Sequence, residues 1–257
     1  MEIINNRYRL KELLKQERHV MVYSAYDMRN ENRIILLNLL NTEYLPKSII
    51  DFFINRFLEI KSLTSKAIIK NYSFNTVSYI DNKLQADPQY FFTSDYIIGT
   101  KNLFHVTYEM NFKEIIECFI KISTAVYYLH SKGFIYSSLN RHSIQLKVED
   151  GDYQVLLKDI ATVQMERLTH REQLEDSAYI YPKVLAGMPE DEESDIYSLG
   201  VILLAMLTKK PSLNDPRKEL ALLKETTDPN ITKIIPVLEN LLNTDNEYSY
   251  QNLYELI

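Results

Sequence analysis

The sequence predicts an α+β fold in two parts, a strand-rich first third followed by a helix-rich remainder. Three observations carry this. Residues 7–40 alternate short apolar runs, Met21-Val22-Tyr23 and Ile34-Ile35-Leu36-Leu37, around the polar turn Asp27-Met28-Arg29-Asn30-Glu31-Asn32. From residue 112 the period changes: Phe112, Ile115, Ile116, Phe119, Ile122, Val126 and Leu129 recur at three and four, the stripe of a long amphipathic helix. Residues 195–208 hold Ile196, Leu199, Val201, Ile202, Leu203, Leu204 and Leu207, apolar enough for a second, buried helix.

The remaining elements follow in order. After the first strands, Ile49, Ile50, Phe52, Phe53, Phe57 and Ile60 sit at near-helical spacing over residues 47–63. Apolar runs at Ile69 to Val77 and Tyr90 to Ile98 read as strands completing the sheet. Gly133 stops the helix over 112–131. Asp150-Gly151-Asp152 is a turn, and Val155-Leu156-Leu157 is the hairpin arm behind it. Ser194 or Asp195 is placed to cap the helix at 195–208, and the last 40 residues read as short helices.

Composition bounds what such a chain does. With 257 residues, 46% of them hydrophobic, it can bury a large core. Lys plus Arg is 29 against 35 for Asp plus Glu, a net charge of −6 and not the basic footprint of a nucleic-acid binder. The single cysteine, Cys118, excludes an intrachain disulfide and any multi-cysteine metal site, and suits a reducing compartment, so a cytoplasmic location is expected. The N-terminus lacks the build of a signal peptide, and the longest uncharged apolar run, Leu199 to Leu207, is too short to insert in a membrane. Five glycines stand where roughly 18 are usual at about 7% usage, so a glycine-rich phosphate cradle is not expected.

Three segments, taken in order and spacing, resemble a known family. They are Asp95-Tyr96-Ile97-Ile98-Gly99 with Leu103, Tyr128-Leu129-His130-Ser131-Lys132-Gly133-Phe134-Ile135, and Ser194-Asp195-Ile196-Tyr197-Ser198-Leu199-Gly200-Val201. With them the chain resembles a eukaryotic-type Ser/Thr protein kinase domain, of the compact bacterial kind, over essentially its whole length. The resemblance implies a single bilobal domain. Its N-lobe, about 1–94, holds an antiparallel sheet plus one helix. A hinge at about 95–99 carries Asp95, Tyr96 and Ile97, and the C-lobe, about 100–257, is mainly helical.

The same resemblance shows where the chemistry is replaced. The family's three loop glycines, which let backbone amides approach phosphates, fall on Lys15, Glu17 and Val20. Its strand lysine falls on Asn38, which carries no charge for the phosphates. The helix glutamate that would pair with that lysine matches Glu59, with Arg56 as a competing alignment. Val22, Leu36 and Gln145 fall on the walls of the adenine slot, Leu36 in place of a small alanine and Gln145 in place of an aliphatic floor. In Tyr136-Ser137-Ser138-Leu139-Asn140-Arg141-His142-Ser143, the catalytic Asp becomes Ser138, the loop Lys becomes Asn140 and the metal-binding Asn becomes Ser143. Asp159 alone remains of the magnesium pair, a poor site for a hard octahedral cation.

Paired changes point to a folded scaffold. The family's Ala-Pro-Glu reads Tyr181-Pro182-Lys183, and the Arg that pairs with that Glu falls on Ser249, so both partners are gone. Leu63, Ile160 and Tyr136 can stack as an apolar column on the helix begun by Asp195, and Asp195 is assigned to the backbone amides of the Tyr136 loop. The five histidines, His19, His105, His130, His142 and His170, show no metal spacing, and no acid is identified to orient His142. Thr208-Lys209-Lys210-Pro211 closes a helix with charge suited to its dipole.

These readings make the chain an inactive kinase-like domain, a pseudokinase, without ATP or magnesium and without a metal. It is expected to act as a regulatory or protein-interaction module, its partner a protein or other domains of a longer signalling chain. A nucleotide sensor without turnover and an atypical ATP-dependent phosphotransferase using Asp159 and His142 are the alternatives.

Overall fold

The computed structural model describes residues 2–137, 139–149, 151–158, 160–169 and 174–244. Its first elements are β1 (Ile3–Ile4), β2 (Tyr8–Gln16), β3 (Val20–Asp27), β4 (Arg33–Leu40), α1 (Lys47–Ile60), β5 (Asn71–Ile80) and β6 (Lys83–Asp95). Next come β7 (Thr100–Asn102), α2 (Leu103–Thr107), α3 (Phe112–His130), β8 (Ile144–Glu149), β9 (Asp152–Leu157) and α4 (Ile160–Thr169). A 3-10 turn at Leu174–Tyr179 leads to α5 (Pro182–Leu185), α6 (Glu192–Thr208), α7 (Pro216–Lys224) and α8 (Pro229–Leu241). The chain divides into two compact units, one holding residues up to Ile98 together with α4, the other Gly99–Lys158 and the described residues from Leu174 onward.

In the first unit the strands close into a barrel in the order β1-β2-β3-β4-β6-β5, Ile4 pairing with Ile80 at the seam. Ile4, Tyr8, Leu10, Ala25, Ile35, Leu37, Val77 and Phe91 fill its core. Successive strand residues face opposite sides. Phe91 therefore points into the barrel, while Phe92 lies with its ring 4.9 Å from that of Phe53 on α1. Helix α1 turns Ile50, Phe53, Phe57 and Ile60 inward, as the sequence spacing requires.

Two expectations need correction here. β6 starts at Lys83, seven residues before the apolar run at Tyr90, because pairing with β5 continues to the Ile80–Lys83 turn. Residues 160–169 were assigned to the helical C-lobe, but they form α4, which packs on α1, with Arg56 Nε donating to Gln164 Oε1 at 3.1 Å.

In the second unit β7, β8 and β9 form a three-stranded sheet, and Gly151, at φ +80°, allows the turn between β8 and β9. Asn111 caps α3 in a reciprocal box with Glu114. Helix α6 is buried continuously from Ser194 to Met206. Its cap is Asp191, not Ser194 or Asp195: the Asp191 carboxylate accepts from the Ser194 amide and the Ser194 hydroxyl accepts from the Asp191 amide. The acidic stretch Glu190 to Glu193 therefore contains the helix start. Lys209 ends α6 at φ +59°, and its ammonium donates to the Thr107 and Met110 carbonyls at 2.5 and 2.6 Å. Its charge thus serves the end of α2 rather than the dipole of its own helix. Among the described residues no helix is long and apolar enough to cross a membrane.

Candidate functional site

The turn between β2 and β3 is built from side chains that pair with one another. Lys15 and Glu17 form an ion pair, and the Glu17 carboxylate lies 3.5 Å from His19 Nε2. Val20 is buried, and the Glu17 amide donates to its carbonyl at 2.9 Å. None of residues 15–20 adopts the left-handed backbone. Opposite this turn, Asn38 on β4 stands in register with Val22 and Phe92. Asn38 is only 8% exposed, and its Nδ2 donates to Ser94 Oγ at 3.4 Å. A neutral amide tied to a hydroxyl thus occupies the position where the resemblance places a cation. Leu36, half-buried, pairs with Ser24 and Ser94.

Glu59 sits near the end of α1 with its side chain 56% exposed, and its carboxylate accepts from Arg56 Nη1 at 2.9 Å, three residues back. Arg56 in turn reaches Gln164, so both candidates for the helix glutamate position are joined to each other and to α4. Asp95 closes β6 through its side chain: Arg33 Nη2 and Tyr72 Oη donate to its Oδ1 at 2.7 and 2.5 Å. Burial, with the Asp95 carboxylate as acceptor, pushes the Tyr72 hydroxyl above its usual pKa. Tyr96 and Ile97 follow, half-buried.

In the second unit the loop that carries Tyr136 hangs from one buried carboxylate. Asp195 accepts from the Tyr136 and Ser137 amides, both at 2.7 Å, and from His130 Nε2 at 2.8 Å. Ser137 holds φ +60°, a conformation non-glycine residues rarely adopt, and the Asp195 bond to its amide fixes it there. Tyr136 is fully buried and its hydroxyl donates to the Lys158 carbonyl at 2.8 Å. Ser143, 1% exposed, donates its hydroxyl proton to the Asn140 carbonyl at 2.7 Å and accepts from the Asn140 amide at 2.9 Å. The donor of that hydroxyl and one of its two acceptor positions are committed to its own turn. Gln145, half-buried on β8, lies opposite Asn102 and Leu156. Ser138 and Asp159 lie outside the described residues, as do His170 and Ser249.

One grouping was not found by sequence reasoning. Asp176 lies 2.9 Å from Arg141 Nε and 3.5 Å from His142 Nε2, so the imidazole does have an acid beside it. The arrangement is an arginine-centred ion cluster: Arg141 Nε also donates to His142 Nε2 at 3.1 Å, and Arg141 Nη1 donates to Ser212 Oγ. Asp176 follows 34 residues after His142 with no pattern linking them. Lys183 is likewise paired, 3.5 Å from Glu193 at the start of α6, and Glu193 also accepts from the Tyr181 hydroxyl at 3.3 Å. Leu63 and Ile160 of the proposed column line one cavity of the first unit, whereas Tyr136 belongs to the second.

Comparison with known proteins adds to this geometry. A family model described as a protein kinase domain matches residues 21–256. A probable serine/threonine-protein kinase of Clostridium acetobutylicum is 26% identical over 269 residues, covering 99% of this chain but 39% of that protein. Another, from Clostridium perfringens, is 28% identical over 211 residues, covering 80% of this chain and 29% of its own length. The chain therefore spans well under half of the curated relatives it matches. The crystal structure of the Mycobacterium tuberculosis PknI kinase domain superposes with a TM-score of 0.72 at 17% identity, covering 98% of this chain and 94% of that one.

Proposed function

This chain belongs to the protein kinase domain family and has its fold, and from that premise we propose that it is a member without phosphotransfer, working as a regulatory or protein-interaction module. The observation that carries the reading is Asn38. At the strand position where the family relies on a lysine stands a neutral amide, nearly buried and bonded to Ser94. Phosphoryl transfer depends on positioned cations that offset charge developing on the phosphates. The described residues do not fit a magnesium nucleotide. The Ser143 hydroxyl is tied into its own turn by two hydrogen bonds, the Lys15 ammonium is held by Glu17, and the Glu59 carboxylate by Arg56. Hydrogen bonds from a hinge backbone to adenine, about 0.5–1.5 kcal/mol net each, do not hold a tetra-anionic ligand alone.

The serine/threonine-kinase names of the clostridial relatives describe those proteins, and their length beyond the matched region supports a role exerted on attached domains or a protein partner. The test is direct. Purified chain, incubated with γ-labelled ATP and either magnesium or manganese, is expected to label neither itself nor generic protein substrates. Labelling that disappears in Asp159→Ala overturns the reading in favour of an atypical phosphotransferase.

A further inference from the structure

Within the first unit lies a cavity of about 330 Å3 that none of the chemistry above uses. Its floor is apolar and buried: Phe57 and Ile60 from the inner face of α1, and Ile160 at the start of α4. The loop from α1 to β5 supplies the rest. Its Leu63 and Ile68 are half-buried, and its Lys61, Lys66 and Lys70 are exposed. Ser65 holds the loop in shape: its hydroxyl accepts from the Ala67 amide at 3.2 Å and its carbonyl from the Ile68 amide at 3.3 Å. Among the described residues no Asp or Glu lines the cavity, in a chain of net charge −6. The neighbouring acids are committed elsewhere. Glu59 is held by Arg56, and Asp95, which also takes the Lys70 amide at 3.4 Å, is held by Arg33 and Tyr72. Lys61 and Lys70 form no ion pair among the described residues, and the Lys70 ammonium lies 5.9 Å from the centre of the Tyr72 ring. A lysine lays its aliphatic stem along apolar surface and keeps its ammonium in water. An apolar floor thus opens toward a positively charged rim.

We propose that this cavity binds a small anionic amphipath, a medium-length alkyl carboxylate, with its chain on Phe57, Ile60 and Ile160 and its carboxylate among the rim lysines. The volume lies near the lower end of the ~300–1,000 Å3 range of ligand pockets, which suits one short chain. Leaving water drives the chain inward. The head group decides between ligands of equal chain: a carboxylate is attracted by three cations, a hydroxyl gains little from them, and an ammonium is repelled. Because the head stays at the solvent edge, its desolvation cost is small and its attraction to the lysines is screened by salt. Ile160 opens α4 while Phe57 and Ile60 belong to α1, so the occupant touches both helices and favours the arrangement in which they pack together. That gives a regulatory module a chemical input. The site stands whether or not the chain transfers phosphate, and its test reads no catalytic activity.

Octanoate is the probe, with 1-octanol and octylammonium as controls of equal chain length, titrated by methyl NMR at low salt. Octanoate is expected to bind the wild type saturably at millimolar concentration, with the largest shifts on the methyls of Leu63, Ile68 and Ile160. It should bind at least about fivefold tighter than 1-octanol, the combined effect of three modest, screened attractions, and octylammonium should bind more weakly than either. High salt should bring octanoate to the level of 1-octanol. The triple variant Lys61→Gln, Lys66→Gln, Lys70→Gln changes only exposed side chains and should melt near the wild-type temperature. In it octanoate should weaken by about the same fivefold while 1-octanol binds as before. A second variant, Leu63→Trp, fills the cavity from its half-buried side and should bind neither ligand while remaining folded by circular dichroism. Equal octanoate affinity in wild type and the triple variant overturns the proposal. So does failure of the folded wild type to bind octanoate at millimolar concentration, equal affinity for octanoate and 1-octanol at low salt, or shifts that leave Leu63, Ile68 and Ile160 unmoved.

Discussion

Replacing Asp195 tests how the second unit holds the loop that carries Tyr136. The carboxylate is 0% exposed and receives three hydrogen bonds at 2.7, 2.7 and 2.8 Å, two from backbone amides and one from His130. Asp195→Ala strands all three donors. Each buried donor left unsatisfied costs about 1–3 kcal/mol, so the loss comes to about 3–6 kcal/mol if water enters the vacated space and relieves part of it. Against a typical total of about 5–15 kcal/mol that is a large fraction. Asp195→Asn keeps the shape but turns an NH2 group toward an amide N–H or the imidazole, so it should recover less than half of the loss. The chain has no tryptophan, so urea unfolding is followed by far-UV circular dichroism. Thermal midpoints should fall by roughly 6–24 °C, at about 2–4 °C per kcal/mol for a chain of this size. A loss below about 1 kcal/mol in both variants, no more than an ordinary substitution, would refute the assignment of the carboxylate as the anchor of this loop.

Other consequences follow from named contacts. A Cβ on Gly200 would meet Leu241 Cβ at 2.8 Å and Leu242 Cδ2 at 3.0 Å, so Gly200→Ala should destabilise by about 1–3 kcal/mol despite better helix propensity; a rise in the urea midpoint would contradict the close approach of α6 and α8. The Arg7 guanidinium holds the Asp27 carboxyl below its usual pKa. A depressed folded-state pKa adds stability above the unfolded value of about 3.9 and loses it as pH falls through the folded value, so Asp27→Asn should flatten the decline in urea midpoint between about pH 5 and pH 2. Asn38→Lys restores one cation but neither the loop glycines nor the residues at Ser138 and Ser143, and should yield no ATP-dependent labelling of the chain; labelling by this variant would mean that a single cation was the missing component.

Helices α3 and α6 were legible because their apolar spacing is a local property of the chain. The start of α6 was misplaced by three residues, since Glu190 to Glu193 reads as a charge block until Asp191 is seen bonding the Ser194 amide. Helix α4 was missed: Ala161-Thr162-Val163-Gln164-Met165 has no clear stripe, and what holds it is packing on α1 and the Arg56–Gln164 bond across 108 residues. The replaced positions Asn38 and Ser143 were readable as residue types, but not that Ser94 and Asn140 would occupy their polar groups. Asp176 beside His142 and Glu193 beside Lys183 were invisible for the same reason, since an ion pair between distant segments leaves no trace in either one alone.

The most direct measurement is a thermal-shift titration of the purified chain with magnesium ATP up to millimolar concentration. A ligand at 100 times its dissociation constant stabilises the folded state by about 2.7 kcal/mol, a shift of several degrees for a chain of this length. With a neutral Asn38 bonded to Ser94 and with Lys15 held by Glu17, no shift is expected at any concentration. A saturable rise in melting temperature that requires both magnesium and the nucleotide would contradict it.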